Sequence, residues 1–159
     1  MRDSVKVKGF FRLQVVDHGS SGAKVVGDSG WRPNAITNYG YETAIVGVVG
    51  KVAGSTQASV MALGLGTAPG AAATALESEL TDATNCRIAV TPTAVSSKTL
   101  QFVGTLASGI ATATRAIQNI GLFATSAITV GTVIAGNTYT VSTLQTNQSV
   151  NCTYQLRFA

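Results

Sequence analysis

Apolar and polar side chains alternate near both ends of the chain. The alternation runs through residues 5–15 and again through residues 150–158. A period of two predicts strands with one buried side and one solvent-facing side. Gly9 beside Phe10 interrupts the first strand, as a β-bulge would. The apolar positions expected to face the core are Val5, Val7, Phe11, Leu13 and Val15 near the N-terminus, and Val150, Cys152, Tyr154, Leu156 and Phe158 near the C-terminus.

Short apolar segments separated by turn residues fill most of the remaining sequence. Residues 18–22 are typical of a turn, and residues 23–26 of a strand that returns beside the first one. Several short strands divided by glycine, serine and asparagine turns indicate a mainly β protein, a β-sandwich or jelly-roll-like single domain with one short helix. Further strands are predicted over residues 60–65, 86–95, 99–106, 116–124, 138–144 and 150–158.

The short helix is predicted between residues 37 and 54. Thr37 or Asn38 can cap its first turn with a side-chain oxygen, and apolar residues then recur at helical spacing. Gly47 and Gly50 weaken the helix, so it would need packing against a sheet. A brief helical turn is also expected over residues 74–80.

The composition suggests that the protein works in an assembly. A chain of 159 residues is one domain by size, with an N-terminal hairpin or arm over residues 1–30 and a core sandwich over residues 31–159. Only 11% of the residues are charged, compared with about 25% in ordinary soluble domains. Because weak charge resists self-association poorly, we expect a homo-oligomer, a trimer or a dimer. A secreted, weakly charged β-protein is the alternative.

The positive charge is concentrated near the N-terminus. The net charge is +4, and six of the eleven cationic residues lie within the first 32 residues. Aspartates are interleaved with them, whereas a nucleic-acid binder usually carries a denser basic stripe with stacking aromatics. We expect a solvated strand face or a contact with an acidic protein neighbour, and no nucleic-acid or membrane partner. The candidate particle or partner contacts are Arg2, Lys6, Lys8, Arg12 and Trp31.

Trp31 has two interpretations. A single tryptophan beside four tyrosines is more often a core or interface anchor. The alternative is that Trp31 stacks on a sugar in a carbohydrate-binding module.

Residues with catalytic or metal-binding chemistry form no recognisable motif. The chain has one histidine, His18, and two cysteines without a CxxC pair, which excludes the usual zinc motifs. His18 would need to meet a serine, and no nucleophile-elbow sequence is present. The glycines of residues 64–70 lack the lysine of a phosphate loop. We expect no enzymatic activity, no cofactor and no metal.

The cysteines and the apolar segments indicate the cellular compartment in which the chain folds. Cys86 and Cys152 are predicted to be two small buried thiols, with a disulfide between them left open. The N-terminus has no apolar signal-peptide region. The longest apolar run, residues 44–49, is too short to span a bilayer. We therefore expect the chain to fold in a cytoplasm.

Several short motifs occur in a fixed order. They are Trp31-x-x-Asn34-x-Ile36-Thr37-Asn38-x-Gly40, Leu63-Gly-Leu-Gly66-Thr67-x-Pro69, Thr74-Ala-Leu76-x-x-Glu79-Leu80 and Ile117-x-x-x-Gly121-Leu122-Phe123, followed by the alternating strand that ends at Phe158. From about Trp31 to Phe158 the chain resembles small virion structural proteins of tailed bacteriophages, of the capsid decoration, fibre or tail-associated type. Two positions depart from the pattern: an acid is expected at Asn119, and an arginine where Thr81 and Asp82 stand.

The resemblance implies a structural role in a virion assembled in the host cytoplasm. The leading hypothesis is a capsid decoration (cement) protein that binds the head and stabilises it, with the major capsid protein or other virion proteins as partners. The alternatives are a tail, neck or fibre component, or a carbohydrate-binding module for host attachment.

Overall fold

The computed structural model describes residues 6–20, 22–40, 45 and 57–158, and in these ranges the chain forms ten β-strands. They are β1 (Val7–Gly19), β2 (Gly22–Asp28), β3 (Arg32–Ile36), β4 (Val60–Gly64), β5 (Ile88–Ala89), β6 (Thr91–Ser96), β7 (Thr99–Leu106), β8 (Arg115–Phe123), β9 (Ala135–Leu144) and β10 (Gln148–Phe158). No helix in the described ranges has the length and apolar character needed to cross a membrane.

The strands pair antiparallel in one sheet that nearly closes into a barrel. Their order is β5-β4-β8-β9-β3-β1-β10-β7-β6, with β2 paired to β1. The two ends of this order, β5 and β6, are neighbours in the chain, so the sheet curves back on itself. Between these two strands, Val90 N donates to Ser59 O at 2.9 Å and so extends the β4–β5 ladder by one position. The mainly β class predicted from the sequence is confirmed, and the core lies between the two halves of the curved sheet.

β1 and β10 lie in the middle of the sheet. Their ladder runs without a break from Val7 opposite Phe158 to Asp17 opposite Gln148. Both strands bury alternate side chains, as the period of two predicted. The predicted hairpin between β1 and β2 is also confirmed, and it is built into the sheet through β1.

The predicted bulge at Gly9 is wrong. The β1–β10 register is continuous there, and the irregularity in β1 lies between Val15 and Val16, where β1 pairs with β2. Gly9 instead permits a close approach. A Cβ at this position would lie 2.0 Å from Asn34 Oδ1 and 2.6 Å from Tyr154 Oη.

An aromatic cluster forms part of the core between the strands. The ring of Phe11 lies 4.6 Å from that of Tyr154, which lies 5.9 Å from that of Phe102. All three residues are at most 4% exposed. Phe158 was expected to be buried with them, but it is 37% exposed. Its place in the alternation of β10 puts Phe158 on the inward side, but the core ends before this residue.

The predicted strands agree with the observed ones within a few residues. β7 has the predicted bounds, and the segment predicted over residues 86–95 is divided into β5 and β6. The helical turn expected over residues 74–80 is wrong, since this segment consists of turns and a single bridge between Glu79 and Gly64.

Thr37 is the residue that caps the predicted helix. Its hydroxyl accepts a hydrogen bond from Gly40 N at 3.0 Å, and Asn38 and Tyr39 have helical backbone. Residues 41–44 and 46–54 of the predicted helix lie outside the described residues. Cys86 and Cys152 are both buried and unbonded, as predicted.

Two ion pairs and one carboxamide fix the loops. Arg87 and Glu79 form a buried pair with Nε–Oε1 and Nη2–Oε2 distances of 2.7 and 2.9 Å, and Arg87 Nη1 donates to two loop carbonyls. Asp82 pairs with Arg115 at 2.6 Å. Asn119 is fully buried and donates to the carbonyls of two loop residues. The two positions that depart from the virion-protein pattern, Asp82 and Asn119, therefore have structural partners of their own.

Candidate docking surfaces

One end of the sheet carries lysines from two separate segments. Lys6 and Lys8 lie at the start of β1, which pairs with the end of β10. Lys98 lies in the turn between β6 and β7, and its carbonyl accepts a hydrogen bond from Phe158 N at 2.9 Å. The three lysines are exposed. We call this surface, formed by Lys6, Lys8, Lys98 and Phe158, the basic end.

The basic end contains no compensating acid among the described residues. None of its three lysines forms an ion pair with another described residue. The described acids lie elsewhere: Asp28, Glu79 and Asp82 are paired with arginines, and Asp17 lies near the far end of β1. Glu77 accepts hydrogen bonds from the backbone and hydroxyl of Thr67, which lower its pKa. This end of the sheet therefore presents positive charge and, separately, an exposed phenyl ring.

Arg12 lies on the outward face of β1, as predicted, but an aspartate neutralises its charge. It shares the outward side of β1 with Lys8, and its Nη2 lies 2.6 Å from Asp28 Oδ2. The hydrogen bond from Arg12 holds the pKa of the Asp28 carboxyl well below its usual value. The predicted row of cations is thus reduced to its two lysines in the described residues. Arg2 lies outside them.

Trp31 lies on the same outward side of the sheet, beside an arginine that the sequence analysis missed. The Arg157 guanidinium carbon is 4.4 Å from the centre of the Phe10 ring and 5.8 Å from that of Trp31. Gln155 Oε1 accepts from Arg157 Nε at 3.0 Å and from Nη2 at 2.7 Å. Trp31 is 38% exposed. We call Phe10, Trp31, Gln155 and Arg157 the aromatic platform.

The signal for this platform is present in the sequence but is incomplete. Gln155 and Arg157 occupy polar positions of the alternating last strand, so their outward direction could be predicted. Their neighbours could not, because the β1–β10 register decides that Lys8 lies opposite Arg157 and Phe10 opposite Gln155.

His18 does meet a serine. Its Nε2 lies 2.7 Å from Ser149 Oγ, which links the hairpin to β10. A catalytic pair also needs a group that orients the imidazole and an accessible nucleophile. Ser149 is only 5% exposed, and no described residue hydrogen-bonds to His18 Nδ1. The contact is therefore an interstrand hydrogen bond.

No cluster of three or more metal-ligating side chains occurs in the described ranges. No protein-family model matches the chain, and searches of curated proteins and of solved structures found no match.

Proposed function

We propose that this protein is a non-catalytic structural protein of a tailed-phage virion, a capsid decoration protein that docks on the head through its basic end. The observation that carries the proposal is that three exposed lysines, Lys6, Lys8 and Lys98, and the exposed ring of Phe158 lie at one end of the sheet. Exposed cations steer and orient association with an acidic surface, and a large ring supplies contact area at the centre of an interface.

The partner at the basic end is an acidic molecule other than a second copy of this chain. Four of the five described acids are already paired with arginines or held by Thr67, and the fifth, Asp17, stands alone near the far end of β1. Two basic ends brought together would place like charges opposite each other. An acidic region on the shell protein fits this surface and agrees with the virion resemblance of the motifs between Trp31 and Phe123.

A homo-oligomer would use other parts of the surface. The described residues expose several large apolar side chains away from the basic end, and these could be covered by neighbouring subunits. They are Val25, Val26, Val130 and Val141. Closed symmetry is the usual outcome for such subunits, and light scattering at high micromolar concentration tests for a dimer or trimer against a monomer.

The proposal is tested by locating the protein on a particle. Particles purified from lysates of the cells that make this protein would be analysed by quantitative mass spectrometry. A decoration protein should be present at a copy number close to that of the shell protein. A much lower number would instead favour a neck, tail or fibre position, and absence from the particles would contradict a virion role.

A further inference from the structure

We infer that the aromatic platform is a binding site for an acidic sugar, a hexuronate whose ring stacks on Trp31 and whose carboxylate pairs with Arg157. The platform lies on the side of the sheet, whereas the basic end lies at its rim. The two surfaces adjoin, since Lys8 of the basic end lies opposite Arg157 in the ladder, but the inference does not depend on the particle to which the protein docks.

Arg157 is held ready to bind an anion. Two of its nitrogens donate to Gln155 Oε1, and Gln155 in turn donates to Gln101 Oε1 at 2.7 Å. The guanidinium also lies over the ring of Phe10. Its third nitrogen, Nη1, has no acceptor among the described residues. A group already fixed in this way loses little conformational entropy when it binds a ligand, and a guanidinium matches the planar geometry of a carboxylate.

Trp31 supplies the stacking surface. Its side chain is partly exposed next to the guanidinium of Arg157. The face of an indole ring is electron-rich, so it attracts the C–H groups on the flatter face of a pyranose. A sugar ring on Trp31 would have Arg157 within reach of a substituent at its edge.

The neighbouring side chains are planar and polar. Arg12 and Gln14 follow Phe10 on the outward side of β1, and both hydrogen-bond to Asp28. Paired donors and acceptors of this kind suit the vicinal hydroxyls of a sugar. Since Arg12 already matches the charge of Asp28, the remaining cations of the described parts of β1 and β10 are Arg157 and Lys8, which lie opposite each other in the ladder. These cations select a sugar that carries a carboxylate.

An extended acidic peptide suits this surface less well. A peptide usually binds by adding a strand to a free sheet edge or by filling a groove. The platform instead lies on β1 and β10, both of which are paired on each side. A nucleic acid strand would need several cations along its phosphates, and among the described residues only Arg157 of the platform and the adjoining Lys8 are available.

The test uses the intrinsic fluorescence of Trp31, the only tryptophan in the chain. Purified protein would be titrated with a galacturonate oligosaccharide and with its methyl ester, which keeps the ring but removes the charge. We expect a saturable change with the acid and binding at least tenfold weaker with the ester. Arg157→Gln should remove this preference for the acid, while Lys24→Gln, which alters a cation on β2, should leave it intact.

Polyglutamate and oligothymidylate complete the experiment. If either changes the Trp31 fluorescence at the same concentration as the galacturonate or below it, the site recognises another polyanion and the inference is wrong. It is equally wrong if no titration saturates, or if Arg157→Gln binds the acid as the parent does. Thermal unfolding of each variant confirms that it is folded. Because no particle is present, a failure here is separate from a failure of the docking proposal.

Discussion

The two sides of the β1–β10 pair differ in what their side chains meet. On the inward side, Phe11 and Tyr154 pack ring against ring and are almost fully buried. On the outward side, Phe10 and Arg157 are equally close neighbours, but they remain accessible to solvent. The inward contacts therefore hold the sheet together, while the outward contacts are those that we propose to meet a partner or ligand. Substitutions on the two sides should separate stability from binding.

The largest effect is expected in the aromatic core. Phe11→Ala should destabilise the fold by about 3–5 kcal/mol, since truncating a buried aromatic leaves a cavity. The matched control is Phe158→Ala, for which we now expect less than about 1 kcal/mol because the ring is exposed. Urea unfolding measures both. Similar losses for the two variants would show that the end of β10 belongs to the core.

A loss of about 3 kcal/mol is expected when the buried ion pair is broken. Glu79→Gln leaves the Arg87 guanidinium buried without a counter-charge, and such unpaired charges typically cost about 3–5 kcal/mol. Asp28→Asn breaks the exposed pair with Arg12 and should cost no more than about 1 kcal/mol. The free energies of unfolding of these two variants compare a buried and an exposed arginine–carboxylate pair. Equal losses of stability in the two variants would contradict the expectation that the buried pair costs more to break.

The outward ion pair should also make stability depend on pH. The folded pKa of Asp28 is lowered, chiefly by the hydrogen bond from Arg12. Its contribution to stability is therefore complete above the unfolded pKa of about 3.9 and is lost as the pH falls below that value. Between pH 6 and 3 the parent protein should lose more stability than Asp28→Asn, and the difference should shrink in high salt. If the parent and Asp28→Asn lose the same stability between pH 6 and 3 at low salt, Asp28 does not contribute in this way.

The smallest effect on stability is expected at the platform. Trp31→Ala and Arg157→Gln should each change the free energy of unfolding by about 0.5 kcal/mol or less, as surface substitutions usually do. Both should nevertheless abolish the preference for acidic sugar, which calorimetric titration measures for Trp31→Ala because that variant contains no tryptophan. A large loss of stability in Trp31→Ala would show that this side chain is a structural anchor.

The same contrast explains what could be predicted from the sequence. Strict alternation identified β1 and β10, because the period of two depends only on neighbouring residues. It could not show that the core ends before Phe158, which depends on the strands packed opposite. Gly9 was misinterpreted for the same reason, since Asn34 and Tyr154 approach it from distant parts of the chain.

Contacts between residues far apart in the sequence also explain the remaining differences between the prediction and the structure. The segment around Glu79 looked helical from its local pattern, but a bridge to Gly64 and the pair with Arg87 hold it in turns. The lysines at the start of β1 were visible in the sequence as candidate contacts. That Lys98 joins them, and that Asp28 matches Arg12, follows only from the strand pairing and the turns.

The central claim is that the basic end docks the protein on its particle. The most direct measurement is titration of Lys6→Glu/Lys8→Glu protein onto particles stripped of the native protein, at low and high salt. Charge reversal is preferable to deletion of residues 1–8, because β1 begins at Val7 and deletion would shorten its ladder with β10. Lys24→Glu is the control.

We predict that the doubly charge-reversed protein unfolds like the parent but binds the particle more weakly. We also predict that the parent's binding weakens as salt rises and that Lys24→Glu binds like the parent. If the charge-reversed protein binds as well as the parent at both salt concentrations, the lysines form only a solvated surface and the docking proposal is contradicted.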